Sequence, residues 1–280
     1  MRLVLPTIAT TPPDTARPNG VWDYISASRL NLWLRCPLAF RLRYIDGIVT
    51  PPTASLFLGQ QVHAGLEQYY RHRQLGVTLT ADEIVRRLLA DWQEAAATAA
   101  VFFAHPAEDA DTRAQTVRLI RMYLEQVSPD EPLPLAVETS LEGPLTDPET
   151  GADLGIPLLG VVDLVLDSPA GAVVVDFKTA AKANHPVEIL HEVQLTTYSW
   201  LFRQAAGQHE AGLEIRSLVK TKRPKFETHR YPPRTEQHVR RLFRLLRVYL
   251  DDLDAGQFCY RPGFHCLLCE YRRECAGWHG

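Results

Sequence analysis

The residues most able to do chemistry lie in one short stretch, Gly160 to Ala180, GVVDLVLDSPAGAVVVDFKTA. Val161, Val162, Leu164, Val165 and Leu166 form one strand-like apolar run and Ala172 to Val175 a second, with Ser168-Pro169-Ala170-Gly171 supplying turn chemistry between them. Into these strands the chain places Asp163, Asp176 and Lys178. A carboxylate buried in a sheet is costly unless something pairs with it. Asp176 and Lys178 are two apart and share one face of a strand. Hard carboxylate oxygens suit Mg²⁺ or Mn²⁺, and such a cation polarises a phosphate and acidifies a bound water. Lys178 is placed to orient that water or to stabilise developing charge. A D-x-K tripeptide alone occurs by chance; the preceding apolar strand with its own aspartate gives this one weight.

A second chemistry resides in the cysteines, which are Cys36, Cys259, Cys266, Cys269 and Cys275. An odd count without a secretion signal argues for metal or cluster ligation in a reducing, cytoplasmic compartment. Cys266-x2-Cys269-x5-Cys275 offers three soft ligands, and Cys36 is a candidate fourth from the far end of the chain. Four cysteines serve zinc as well as an iron–sulfur cluster, and spacing alone does not separate the two.

The net charge of −3 gives no global case for nucleic acid, so any such case is local. Between Arg216 and Arg247, Lys and Arg outnumber Asp and Glu. Lys220, Lys222, Arg223 and Lys225 crowd the loop KTKRPK and are candidates for contacting a phosphate backbone. Arg240, Arg241, Arg244 and Arg247 lie on a helix whose apolar stripe is Val239, Leu242, Leu246, Tyr249 and Leu253; they form either a basic rim or an ordinary solvated face. Tyr69, Tyr70, Trp200 and Phe202 are candidates for stacking bases or for the core.

The elements that must hold these groups follow from periodicity. At 280 residues, 46% hydrophobic and 22% charged, the chain has the composition of a globular protein with a full core. No apolar run is long enough for a membrane span. Residues 1–25 read as a loose lead-in. Helices are expected from Ser26 with an interruption at Pro37, from Ser55, over 81–100 and over about 108–127, the last two forming an added helical layer. Three strands follow, in LAVETSLEGPL, IPLLGVVDLVLD and AVVVDFKTA. A helix over 186–206, a strand over 213–221 and a helix over 235–255 complete an α/β core spanning 26–255, with a Cys-rich segment over 256–280. Glu138, on the strand before Asp163, is either a further acidic member of the site or an edge-strand surface residue.

The residues G-V-V-D (160–163) and D-F-K-T (176–179) resemble the second and third motifs of PD-(D/E)XK nucleases, in the RecB-like branch that includes AddB-type nuclease domains. His63 in GQQVHAGLE and Gln194 and Tyr198 in EVQLTTYSW match that branch's upstream histidine and Q-x-x-x-Y. The resemblance implies a restriction-endonuclease-like α/β core. It implies that His63, Asp163, Asp176 and the Phe177 carbonyl bind Mg²⁺ or Mn²⁺, that Lys178 is catalytic, and that Gln194 and Tyr198 position DNA or Lys178. It also implies a [4Fe–4S] cluster on Cys36, Cys266, Cys269 and Cys275, with Cys259 spare. The expected reaction is hydrolysis of DNA, single-stranded or at ends, leaving a 5′-phosphate and a 3′-hydroxyl. Nucleases of CRISPR adaptation modules share both motif sets and give an end-trimming alternative, and a non-catalytic DNA-binding subunit is a third reading. No G-x-x-x-x-G-K-[ST] motif occurs, so any helicase partner is a separate chain.

Overall fold

The computed structural model describes residues 20–181 and 188–280; most of the N-terminal lead-in and the expected helix start at Pro186 lie outside them. A two-residue strand, β1 (Ile25–Ser26), precedes α1 (Ala27–Arg35), whose N-terminus is capped by the Ser26 side chain. The chain restarts as α2 (Pro37–Tyr44) after Cys36, because Pro37 cannot donate to α1 but suits a new first turn. Next comes α3 (Ala54–Gln74), capped by Thr53. The single helix expected over 81–100 is two, α4 (Ala81–Ala90) and α5 (Trp92–Thr98). The break at Asp91 turns Trp92 inward, where it is fully buried against Phe57 and donates to Asp109. The helical layer closes with α6 (Pro106–Gln126).

The remaining elements are β2 (Pro134–Gly143), β3 (Leu158–Ser168), β4 (Gly171–Ala180), α7 (Glu192–Ala206), β5 (Gly212–Val219), β6 (Lys225–Tyr231), α8 (Glu236–Asp254) and the short α9 (Arg272–Ala276). Two strands are additions to the sequence reading. β1 is too short to carry a period, and β6 (KFETHRY) is a polar edge strand whose only strand partner among the described residues is β5.

The six strands form one mixed sheet in the order β1-β3-β4-β5-β6, with β2 also on β3. Parallel β4 and β5 are joined by the crossover helix α7. Helices cover both faces. One core cluster gathers residues of α1, α2, α7 and α8 against the sheet, and the other those of α3, α4 and α6. This is an α/β fold with a mixed central sheet flanked by helices.

The edges of β3 matter most. β2 runs antiparallel along one whole edge, from Pro134↔Leu166 to Gly143↔Leu158. The other edge is shared: β1 takes Leu158 and Leu159, and β4 takes Leu164 to Ser168. Between them, residues 160–163 have no strand partner on that edge among the described residues. β4 continues past the end of its pairing with β3, bonded only to β5 from Asp176 to Ala180. The sheet therefore opens a fork between β3 and β4 at Asp163 and Asp176.

The Cys-rich segment is docked, not trailing. Phe258 stacks on Phe40 at 6.3 Å, Arg261 donates to the Leu34 carbonyl at 2.6 Å, and Tyr271 is buried. Among the described residues no helix is long and apolar enough to cross a membrane.

Candidate active site

Asp163 reaches across the fork, and its Oδ2 accepts the Phe177 N–H at 2.7 Å, replacing a ladder bond with a side-chain bond. Asp176, 2% exposed, lies beside it on β4. Its Oδ1 accepts from Gln194 Nε2 at 2.8 Å and from Lys178 Nζ at 3.0 Å. Gln194 also donates to the Tyr198 hydroxyl at 2.8 Å, as their spacing of four on α7 permits. α7 approaches this closely because Gly160 faces it: a Cβ there would fall 2.8 Å from Leu201 Cδ1 and 3.4 Å from the Tyr198 ring.

His63 comes from α3, on the opposite face of the sheet, with Nδ1 3.7 Å from Asp163 Oδ2 and 3.9 Å from Glu138 Oε1. Glu138 belongs to the site. Register places Val137 opposite Leu164 and Thr139 opposite Val162, so Glu138 falls beside Asp163, and its backbone has φ +42, a left-handed conformation rare for a side-chain-bearing residue in a strand. Ligand atoms of His63, Glu138 and Asp163 lie within 4.8 Å of one another, a triad spaced to share one cation.

The electrostatics favour a cation here. Burial, with the Asp176 carboxylate second, pushes the Asp163 carboxyl up to about 7. Burial alone would lower the His63 pKa, but the Glu138 contact and the Asp163 and Asp176 charges outweigh it and raise it. Burial also holds the Tyr198 hydroxyl well above its usual range, with Asp176 adding to it, so Tyr198 keeps its proton. Asp176 Oδ2 lies 2.8 Å from the Lys178 ammonium, yet it is buried and receives no well-directed hydrogen bond. A hard dication beside Asp163, Asp176, Glu138 and His63 suits this donor set.

Behind the site is a buried network that sequence reasoning missed. Phe177 stacks on Tyr70 at 5.9 Å and meets Tyr123 edge-on at 5.6 Å. Both hydroxyls accept from Arg216 Nη1, which also pairs with Glu131, while Arg216 Nη2 pairs with Glu214. Arg216 is thus a core cation, although the sequence placed it at the start of a basic surface stretch. The proposed base-stackers are likewise core: Tyr69, Tyr70 and Phe202 are buried, and Trp200 packs on Phe243. On α8, Arg240, Arg241 and Arg247 are ion-paired with Glu149, Glu192 and Asp147, which removes most of the supposed basic rim. In the β5–β6 loop, Lys220 reaches Ser55 Oγ at 2.6 Å beside the site, while Lys222 and Lys225 are exposed, as is Arg223.

Cys36, Cys266, Cys269 and Cys275 line one cavity of about 480 Å³, and Cys259 is not among its walls. Burial, and then the nearby Cys36, Cys269 and Cys266, raise the Cys275 pKa. No three of these sulfurs lie within 4.8 Å of one another.

A mixed sheet with helices on both faces is forked around two carboxylates and a lysine, an arrangement suited to a cation. The sequence pattern of the PD-(D/E)XK nuclease superfamily matches residues 24–276, and the chain belongs to that superfamily. Its members generally use Mg²⁺ or Mn²⁺. Among solved structures, a presumed exonuclease from Eubacterium rectale superposes with a TM-score of 0.51 at 12% identity, covering 90% of this chain and 88% of that one. The protein SSO0001 aligns with a TM-score of 0.38 at 16% identity over 86% and 94% of the two chains. Among curated proteins no match is found.

Proposed function

We propose that the protein is a Mg²⁺- or Mn²⁺-dependent deoxyribonuclease of RecB-like type, acting on single strands or DNA ends. One observation carries this reading: the β3–β4 fork brings Asp163, Asp176, Lys178, His63 and Glu138 to one place, with Gln194 and Tyr198 bracing it. When bound there, the cation supplies Lewis-acid polarisation of the scissile phosphate and acidification of a water. Asp163, Asp176, Glu138, His63 and the Phe177 carbonyl hold it. Lys178, tethered by Asp176, orients the attacking water and meets charge developing on the phosphate. Gln194 fixes Asp176, and the protonated Tyr198 fixes Gln194.

The four cysteines that share a cavity fit a [4Fe–4S] cluster better than zinc. Tetrahedral zinc, with Zn–S of about 2.3 Å, needs sulfurs about 3.8 Å apart, whereas a cube of four irons spreads its ligands more widely. Such a cluster would tie Cys36 on the α1–α2 junction to the C-terminal segment.

The test is Mn²⁺-dependent digestion of end-labelled single-stranded DNA by anaerobically purified protein and by Lys178→Ala. Loss of cleavage in the variant with DNA binding retained supports the reading; wild type that cuts no DNA sinks it. Iron and sulfide analysis with an absorbance spectrum decides the cysteine site independently, zinc alone being the contrary result.

A further inference from the structure

We infer that a groove running from the active site along α3 to the Cys-rich segment is the track for a single nucleic-acid strand, an inference that deepens the nuclease reading and rests on it. The site opens into a cavity of about 650 Å³ bounded by His63, Lys178 and Lys220. A second cavity, of about 600 Å³, adjoins it and shares Thr53, Leu56 and Gln60 with it. Leu56, Gln60 and His63 are spaced four and three apart, so one face of α3 lines both. The far wall of the second cavity contains Arg35, Arg43, His265 and Leu268, and Cys36 and Cys269 lie on it as well.

Cationic and bare apolar side chains share this lining. Lys178 and Lys220 are at the catalytic end and Arg35 at the other, where Arg43 is paired with Glu270. Arg35 is exposed and makes no hydrogen bond or ion pair among the described residues. Of the lining carboxylates, Glu67 is held by Arg71 at 2.7 Å and Glu270 by Arg43 and Thr50, while Glu138 faces His63 in the cation site. Leu56, 55% exposed, lines both cavities, and Leu268, 94% exposed, stands on the far wall with Arg35. Bare leucines flanked by cations suit unstacked bases with phosphates on the rim. A duplex, with its bases already stacked, gains nothing from them. Near the site α3 packs closely on the strand that carries Lys178 and on the loop that carries Lys220. At Gly59 a Cβ would sit 3.0 Å from Thr179 Oγ1, and Lys220 bridges to Ser55 at 2.6 Å. From Thr53 to His63 the helix rises about 15 Å, long enough for a short run of nucleotides.

The test is fluorescence anisotropy with a labelled single-stranded 12-mer and a blunt duplex hairpin in Ca²⁺, comparing wild type, Leu56→Glu, Gln60→Glu and a control, Leu75→Glu, at the opposite end of α3. The expected result is about tenfold weaker strand binding in the first two variants, unchanged binding in the control, and weaker binding of the hairpin by wild type. Affinity unchanged in Leu56→Glu and Gln60→Glu overturns the track, and equal affinity for the hairpin overturns the single-strand assignment. Wild-type cleavage of the 12-mer and of bis(p-nitrophenyl) phosphate in Mn²⁺ is scored separately. Loss of both activities with variant-sensitive strand binding intact refutes the nuclease reading and leaves the track standing.

Discussion

Replacing Asp163 by asparagine should stabilise the metal-free protein and abolish its stabilisation by Mn²⁺. The folded carboxyl titrates at about 7, against about 3.9 in an unfolded chain. Because the folded pKa is raised, the ionised group costs stability. The cost is absent below about pH 4, grows as pH rises to about 7, and is constant beyond. For a group this buried it amounts to a few kcal/mol at pH 8. Unfolding entropy of about 2.1 cal/mol/K per residue over 280 residues gives about 0.6 kcal/mol per degree. Asp163→Asn, which keeps an oxygen to accept the Phe177 N–H, should therefore melt about 5 °C above wild type at pH 8, and the gap should shrink towards pH 5. Mn²⁺ at a hundred times its Kd adds about 2.7 kcal/mol, so wild type should rise about 4–5 °C at pH 8. At pH 6 the rise should be about 2 °C less, because a proton on Asp163 competes with the cation. The Asp163→Asn protein should show no such rise. Differential scanning calorimetry with chelator and with Mn²⁺ measures all of this. A metal-free variant that melts below wild type at pH 8, or one still stabilised by Mn²⁺, refutes the reasoning.

Three further outcomes follow from the same geometry. Glu138→Gln should weaken Mn²⁺ binding about tenfold or more by calorimetric titration; unchanged affinity would return Glu138 to the surface. Arg216→Met leaves Glu131 with Arg73 alone and Glu214 with Arg230 alone; loss of the buried partner costs about 3–5 kcal/mol and should lower Tm by about 5–8 °C, and a smaller drop would mean that Arg73 and Arg230 suffice. Gly160→Ala forces a methyl against Leu201 and Tyr198. Overpacking of this kind costs about 1–3 kcal/mol, and because α7 must retreat, turnover on single-stranded DNA should fall along with Tm. Normal turnover would show that Gln194 and Tyr198 do not depend on that close approach.

Much of this was legible because strong local signals coincided with the fold. The apolar strands around Asp163 and Asp176 were readable, since no loop tolerates such runs and no core tolerates bare carboxylates. Pro37 announced the α1–α2 break and Thr53 capped α3 close to its expected start. What escaped detection depended on contacts distant in sequence. β6 is a polar edge strand that exists because β5 offers it a ladder. Arg216 looked like the first residue of a basic stretch, and nothing local says that Glu131, 85 residues away, will meet it. Tyr70 and Tyr123 look like any aromatic at helical spacing until Phe177 is placed between them. The arginines of α8 read as a phosphate-binding rim only while Glu149, Glu192 and Asp147 are unseen. Glu138 had an even chance on sequence; register and a left-handed φ decide its place.

The two sides of β4 divide the labour. Behind Phe177, every charge of the Arg216 network has an opposite partner at hydrogen-bond distance, and such a fully satisfied cluster fixes the strand's position. In front, Asp163, Asp176 and Glu138 face each other with only His63 and Lys178 to oppose them among the described residues. A strand free of its neighbours could relax this crowding by sliding. β4 cannot, because residues 173–180 are in register with β5 along their whole length. The back of the fork is therefore rigid, and its front holds three carboxylates close together, an arrangement that favours a cation. Softening the back, as in Arg216→Met, should let the carboxylates spread apart. Cation affinity in Arg216→Met, read by calorimetric titration with Mn²⁺, should then fall although Arg216 touches none of the carboxylates of the fork; unchanged affinity would refute this coupling.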